Sequence, residues 1–301
     1  MRIRPLVASR FGSDGGAMFG LVPKPIWSKR IAPDERNRIL QAANVILIEL
    51  PDGRKGLIDT GCGDPAEFSP KECDLHGLDT GCSLLSALSE CEVRAEDIDF
   101  VILTHAHWDH AGGAGHSTDA GQRMPTFPRA KHYIHALEWE DACSGDPLLY
   151  KSYPEVTLSP LRSLPDSQLC LVTDEQSEIM PGIQLLRSGG HTRGHCTVML
   201  SGEELQLVHS QADALGPITF MLCAGDVCPT QHHLPLVFQT AYDTFPLDTR
   251  DWKHRWLPRI INERGLLLFD HDPELFGAML TWNERGGPAV DMRASLCCIL
   301  P

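Results

Sequence analysis

Thr104-His105-Ala106-His107-Trp108-Asp109-His110-Ala111-Gly112-Gly113 gathers three imidazoles and one carboxylate into six consecutive positions. Imidazole and carboxylate are the ligands of divalent transition metals, and a cluster this dense has few other uses. His105 and His107 can converge on one ion from a tight turn, while Asp109 and His110 face the other way, toward a second. Two ions need roughly eight ligand positions, so other parts of the chain must supply the remainder.

The elements that would carry them can be read from short apolar runs. Phe100-Val-Ile-Leu103 is β-branched and stops at Thr104, directly before the His-rich segment. Ile183 to Leu186 stops at Gly189-Gly190-His191, Phe220 to Ala224 at Gly225-Asp226, and Leu266 to Phe269 at Asp270-His271. Four strands would then each deliver polar residues at one end, adding His191, Asp226 and His271. Asn44 to Leu50 and Lys55 to Asp59 read as strands joined across Pro51-Asp52-Gly53. Helices are expected over Leu84 to Cys91, Ala136 to Cys143 and Arg250 to Glu263, with another opening at Asp272-Pro273 and presenting Leu275, Phe276, Met279 and Leu280 on one face. Residues 1–43 are expected to form an irregular N-terminal arm. Strands and helices alternate, so the class is α/β or α+β. No repeat or long linker divides the 301 residues, and a single domain is expected.

The pattern resembles the metallo-β-lactamase superfamily. The resemblance runs from Ile58-Asp59-Thr60-Gly61 through the His105 to His110 motif and Gly190-His191-Thr192-Arg193-Gly194-His195 to Gly225-Asp226 and His271-Asp272. It implies an αββα sandwich. It further implies that His105, His107 and His191 hold one metal, that Asp109, His110 and His271 hold another, and that Asp226 bridges the two. Asp59 and His195 would support these ligands without touching an ion. The implied cofactor is a pair of divalent ions, with zinc first and manganese, iron or cobalt also compatible with the ligand types. A bridging water would lose its proton near neutral pH and attack a carbonyl or phosphoryl centre, with Asp109 and Asp226 as the carboxylates that shuttle the proton.

A narrower resemblance appears in Asp14-Gly15-Gly16-Ala17-Met18-Phe19-Gly20-Leu21-Val22-Pro23-Lys24-Pro25-Ile26-Trp27-Ser28-Lys29, in Pro229-Thr230, His233, Ala241-Tyr242-Asp243 and Phe245-Pro246, and in Phe269-Asp270-His271-Asp272. These segments are similar to the YtnP-like quorum-quenching lactonases, which implies hydrolysis of N-acyl homoserine lactones. Methyl-parathion-hydrolase-like enzymes share much of this architecture, so a phosphotriester is the competing substrate. Several homoserine lactonases place a Tyr three residues after the bridging Asp, where this chain has Pro229. Thr230, His233 or Tyr242 would then take over that substrate contact. Met18, Phe19, Trp27 and Phe238 are the expected apolar wall for an acyl tail, with core or dimer packing as their alternative role. In related enzymes such an arm helps form a homodimer.

Composition narrows the classes further. The chain is 42% hydrophobic and 22% charged, enough for a full core, and its net charge of −14 disfavours a nucleic-acid partner. No stretch approaches the ~20 apolar residues of a membrane span, and the N-terminal segment is broken by Arg and Pro. The 11 Cys are odd in number and lack C-x-x-C pairs, so reduced thiols and a cytoplasmic location are expected. Cys62, Cys223 and Cys228 lie near Asp59 and Asp226 in sequence but are read as small buried apolar residues, not ligands. A mononuclear-iron persulfide dioxygenase would leave Asp109 and His271 without a metal, and a non-catalytic scaffold would have no need of so complete a ligand set.

Overall fold

The computed structural model describes residues 1–149 and 152–297, with the side chains of 292–297 excepted. These fall into two compact units, one of residues 1–10 and 43–175, the other of residues 11–42 and 176–297. The strands, in chain order, are β1 (Arg2–Asp14), β2 (Arg38–Glu49), β3 (Lys55–Ile58), β4 (Ile98–Ile102), β5 (Gly115–Ser117), β6 (Arg123–Pro125), β7 (Lys131–His135) and β8 (Leu169–Val172). They continue with β9 (Gln176–Met180), β10 (Ile183–Arg187), β11 (Cys196–Ser201), β12 (Gln206–Leu207), β13 (Phe220–Cys223), β14 (Leu266–Leu268), β15 (Leu275–Trp282) and β16 (Pro288–Cys297). Helices cover Leu84–Glu90, Ala136–Cys143 and Pro246–Asn262, close to the expected spans.

In the first unit the sheet runs β1-β2-β3-β4-β7-β8. The hairpin across Pro51-Asp52-Gly53 is present, with β2 antiparallel to β3. β3, β4, β7 and β8 are parallel, and Ile58 pairs with Ile102, which pairs with Tyr133. Parallel strands in this register end together, so Asp59 and the Thr104-His105 exit leave the sheet at one edge, where α/β proteins place their ligands. Val45, Leu47, Leu57, Val101 and Leu103 are fully buried beneath that edge.

The second unit's sheet runs β16-β15-β14-β13-β11-β10-β9. β10 is antiparallel to β11, and β11 is antiparallel to β13, so β10 and β13 point the same way. β14 is parallel to β13. Three strands therefore end at a common edge, and the residues just past those ends are His191, Asp226 and His271. Leu222, Leu267 and Ala278 fill the core beside them.

Two expectations are corrected. Residues 2–14 are a thirteen-residue strand, not part of an irregular arm. Ile3, Leu6, Ala8 and Phe11 are buried while Arg2, Arg4 and Arg10 remain at least partly exposed, so the Arg residues break the apolar run without ending the strand. The stretch after Asp272-Pro273 is β15, not a helix. Asp272 Oδ1 accepts the backbone N–H groups of Glu274 and Leu275, a turn that launches a strand as readily as a helix. Gly277 lies so close to β14 that a Cβ there would meet the Leu267 carbonyl oxygen at 2.6 Å.

His132, on β7, is fully buried, and burial lowers its imidazole pKa to about 4. The unfolded chain would protonate near 6.5 and the folded chain would not, so stability falls as pH drops from 6.5 toward 4. Between pH 7 and pH 5 this single group should remove about 2 kcal/mol. Urea titrations of metal-free protein at the two pH values should show that difference shrinking in His132→Leu.

Candidate metal centre

In the first unit the His-rich segment is laced to the loop after β3. Asp59 adopts a left-handed backbone, φ 59°. That conformation is uncommon for a residue with a side chain, and Asp is among those that tolerate it. It lets Oδ1 accept the Thr104 N–H at 2.8 Å and Oδ2 accept the Thr104 hydroxyl at 2.8 Å. Oδ2 also accepts Nδ1–H of His110 at 2.9 Å. With its proton given to Asp59, the Thr104 hydroxyl is left as acceptor for Nδ1–H of His105 at 3.1 Å. Both imidazoles thus present Nε2 with a lone pair, the form a metal requires.

The turn itself is a short helix, Trp108–Ala111, with His107 at its N-cap. Thr60 fastens it by donating both its N–H (2.7 Å) and its hydroxyl (2.8 Å) to the His110 carbonyl. The His105 ring centroid lies 4.5 Å from that of His107 and 4.0 Å from that of His110, so three imidazoles share one small volume. Asp109 occupies the first helical turn, partly exposed. Beneath the turn, fully buried Glu138 accepts the Ala106 N–H at 3.0 Å and the Tyr153 hydroxyl at 2.9 Å. The Tyr153 ring packs 5.1 Å from that of His107. Glu138 and Tyr153 were not foreseen in the sequence, where they stand 31 and 46 positions beyond His107 with no motif around them.

In the second unit the centre is Asp226. Its Oδ2 faces Nε2 of His191 at 3.1 Å and its Oδ1 faces Nε2 of His271 at 3.0 Å. The far nitrogen of each ring is already committed. Nδ1–H of His191 is donated to Asp243 Oδ1 at 3.0 Å, and Nδ1–H of His271 to the Ala42 carbonyl at 2.9 Å. A carbonyl can only accept, so the tautomer of His271 is fixed. With the rings neutral, each Nε2 and the carboxylate oxygen opposite it are both acceptors, and a divalent cation bound there would answer them, so the donor set fits metal.

His195 is placed differently. Nε2 accepts the Asp226 N–H at 3.0 Å and Nδ1 meets Ser188 Oγ at 2.6 Å, so both nitrogens are engaged and the ring braces the backbone under Asp226. Gly225 makes room for this. Its φ is 58°, and a Cβ would sit 2.3 Å from His195 Nε2. Asp243 was not among the expected site residues, although Tyr242 beside it was. Its side chain is fully buried and also accepts the Thr240 hydroxyl at 2.9 Å.

The expected substrate contacts largely become core. Met18, Phe19, Trp27 and Phe238 pack with Val22 and Ile39 in one buried cluster. Phe19 stacks on Trp27 at 5.3 Å and on His233 at 4.9 Å. A fully buried face cannot line an acyl tail, so the alternative role, core packing, applies. His233 is corrected likewise. Nε2–H donates to the Met18 carbonyl at 2.8 Å and Nδ1 accepts the Thr230 hydroxyl at 2.8 Å, which leaves neither residue a group for substrate. Burial drives the His233 pKa to about 3. Tyr242 alone of these remains half-exposed. The N-terminal residues act from behind: Phe11 meets the His271 ring edge-on at 5.6 Å, and Ala42 holds its Nδ1.

An apolar wall exists elsewhere. A cleft of about 400 Å³ in the first unit is lined by Phe68, His76, Trp108, Pro154, Val156 and Thr157, among others. Phe68 and His76 pack on Trp108 at 6.1 and 4.8 Å, and Trp108 stands between His107 and Asp109. Cys62 and Cys228 are buried, which pushes the Cys62 thiol up and the Cys228 thiol to about 11, so both persist as neutral thiols. Cys298 lies outside the described residues.

Imidazoles held in one tautomer by carboxylate and carbonyl partners, around a carboxylate with both oxygens engaged, define a metal-binding protein of the α/β class. The profile of the Metallo-beta-lactamase superfamily matches residues 38–210, and the chain belongs to that superfamily and has its fold. An N-acyl homoserine lactonase of Bacillus cereus is 28% identical over 131 residues, 44% of either protein. N-acyl homoserine lactonase AiiA of Bacillus thuringiensis subsp. kurstaki is 25% identical over 134 residues, again 44% of each. The chain thus spans less than half the length of the curated relatives it matches. A probable metal-dependent hydrolase from Staphylococcus aureus is similar over 99% of this chain and 97% of that one, at 28% identity and a TM-score of 0.81. AidC, a dizinc quorum-quenching lactonase solved with a product, N-hexnoyl-L-homoserine, shares the fold at 17% identity and a TM-score of 0.70, over 95% of this chain and 92% of that one. Among the described residues no helix is long and apolar enough to cross a membrane.

Asp243→Asn should keep the shape of its side chain but remove the anionic acceptor for His191 Nδ1–H. Loss of such a partner weakens metal binding by about 10- to 100-fold, which chelator competition would read directly.

Proposed function

We propose that the protein is a dinuclear metal-dependent hydrolase that opens the lactone ring of N-acyl homoserine lactones. The observation that carries the reading is Asp226, whose two oxygens face two different Nε2 atoms at 3.1 and 3.0 Å. His105, His107 and His191 would hold one ion and Asp109, His110 and His271 the other, with Asp226 contributing to both. Two divalent cations, most readily zinc, supply Lewis acidity for the ester carbonyl and acidify water near neutral pH.

The protein's own part is orientation and proton handling. Asp59, Thr104 and the Ala42 carbonyl hold the Nδ1 protons of His110, His105 and His271 and so turn each Nε2 toward the site, where bound cations would stabilise an anionic transition state. Asp109 and Asp226 are the carboxylates that would accept a proton from the attacking water and pass it to the leaving alkoxide. For the acyl tail, the cleft of Phe68, Trp108 and Val156 offers apolar surface next to the ligand-bearing turn. The likeness to proteins named N-acyl homoserine lactonase favours a lactone over a phosphotriester.

Enzyme loaded with two zinc ions per chain should release protons from a medium-chain N-acyl homoserine lactone, and Asp226→Ala should abolish the release. Turnover of phosphotriesters without lactone opening would reassign the substrate, and a content of one iron per chain would point to dioxygenase chemistry instead. Each buried methylene is worth about 0.8 kcal/mol, so removing one wall of the tail cleft should compress chain-length preference. For Trp108→Ala, kcat/KM should fall about tenfold with eight-carbon or longer tails and within threefold with a four-carbon tail.

A further inference from the structure

Lys253 lies inside the Pro246–Asn262 helix and is fully buried, yet hydrolysis as described above makes no use of it. A buried ammonium is costly unless its hydrogen bonds and charge are answered. Its Nζ donates to the Phe238 carbonyl at 2.5 Å. Burial holds its pKa below the ordinary lysine value, with the Asp243 carboxylate opposing that shift and Arg250 adding to it.

Phe238 opens a segment that is tied down along its length. Arg250 Nε donates to Gln239 Oε1 at 2.5 Å, and the Ala241 N–H donates to the Ala17 carbonyl at 2.7 Å. Thr240 donates its hydroxyl to Asp243 Oδ1 at 2.9 Å. The N–H groups of Thr244 and Phe245 donate to the carbonyls of His191 at 3.0 Å and Gly190 at 2.8 Å. The segment begins at the ammonium and ends wrapped around His191, and in between it delivers Asp243 to Nδ1 of that ring.

We propose that Lys253 is a positioning residue for the metal-binding half-site. Its Nζ anchors the Phe238 carbonyl. The 238–245 segment is thereby seated so that Asp243 fixes the His191 ring with Nε2 toward Asp226. A methionine would fill the same volume but would leave the Phe238 carbonyl without its donor. The inference rests on His191 being a metal ligand.

The test compares Lys253→Met with Ile260→Ala, a cavity variant on the same helix whose side chain belongs to the apolar core. Zinc affinity by chelator competition and the visible spectrum of the cobalt-loaded protein are the readouts, with melting temperature measured alongside. Both variants should melt earlier. Lys253→Met should lose about tenfold or more in zinc affinity and alter the cobalt spectrum, while Ile260→Ala should stay within twofold of the unmodified protein with an unchanged spectrum. Equal zinc affinities in the two variants would overturn the proposal. If Lys253→Met gives no folded protein, Lys253→Leu, which likewise offers the Phe238 carbonyl no donor, carries the same comparison. Failure of both while Ile260→Ala folds would assign Lys253 to stability alone. His191→Ala separates the two levels: unchanged zinc affinity there would remove the metal reading itself, whereas a loss there without one in Lys253→Met would remove only the role of Lys253.

Discussion

The confrontation of Asp226 with two imidazole nitrogens is the constraint around which the second unit is organised. Each ring gives its Nδ1 proton to an acceptor on the far side, so each Nε2 meets the carboxylate as lone pair against lone pair. A cation held by that carboxylate and the two rings would relieve the opposition. Much of the surrounding structure holds it in place: His195 under the Asp226 backbone, Gly225 leaving space for that ring, and the 238–245 segment behind His191. The same device recurs in the first unit, where Asp59 receives the proton of His110 from a left-handed backbone.

The ligand-bearing strand ends were legible because of how buried strands are written. Phe100 to Leu103, Phe220 to Ala224 and Leu266 to Phe269 are apolar without interruption, Ile183 to Leu186 is broken only by Gln184, and each run is followed within three residues by Gly, Asp or His. A strand that mixes charged and apolar residues is harder to read. In Arg2–Asp14 the buried Ile3, Leu6, Ala8 and Phe11 are interspersed with Arg and Pro, which break any apolar window. The segment after Asp272-Pro273 failed for another reason. Asp before Pro closes a turn whatever follows, and Leu275, Phe276, Met279 and Leu280 satisfy helical spacing although both faces of the strand they form are buried.

The partners that orient the ligands were less legible than the ligands themselves. Asp243, Glu138, Ser188 and Lys253 carry no spacing rule, since each meets its target through the fold and not through the chain. Asp243 reaches a histidine 52 positions away. The aromatic residues of the N-terminal stretch illustrate the converse. Met18, Phe19 and Trp27 suit a pocket wall or a core equally well by composition, and only their mutual stacking and the closed hydrogen bonds of His233 place them in the core.

The shared direction of β10, β13 and β14 has a consequence for how such a chain can change over time. Its metal-capable residues all sit just past the same ends of these strands, while the turn of Pro181-Gly182 and the 202–219 connection join strands at the opposite edge. Insertions or deletions at that opposite edge lengthen or shorten connections without altering the spacing of His191, Asp226 and His271 across the sheet. The molecule therefore separates the geometry that holds these residues from turns remote from it, which makes the Pro181-Gly182 turn the natural place to graft affinity tags or reporter domains.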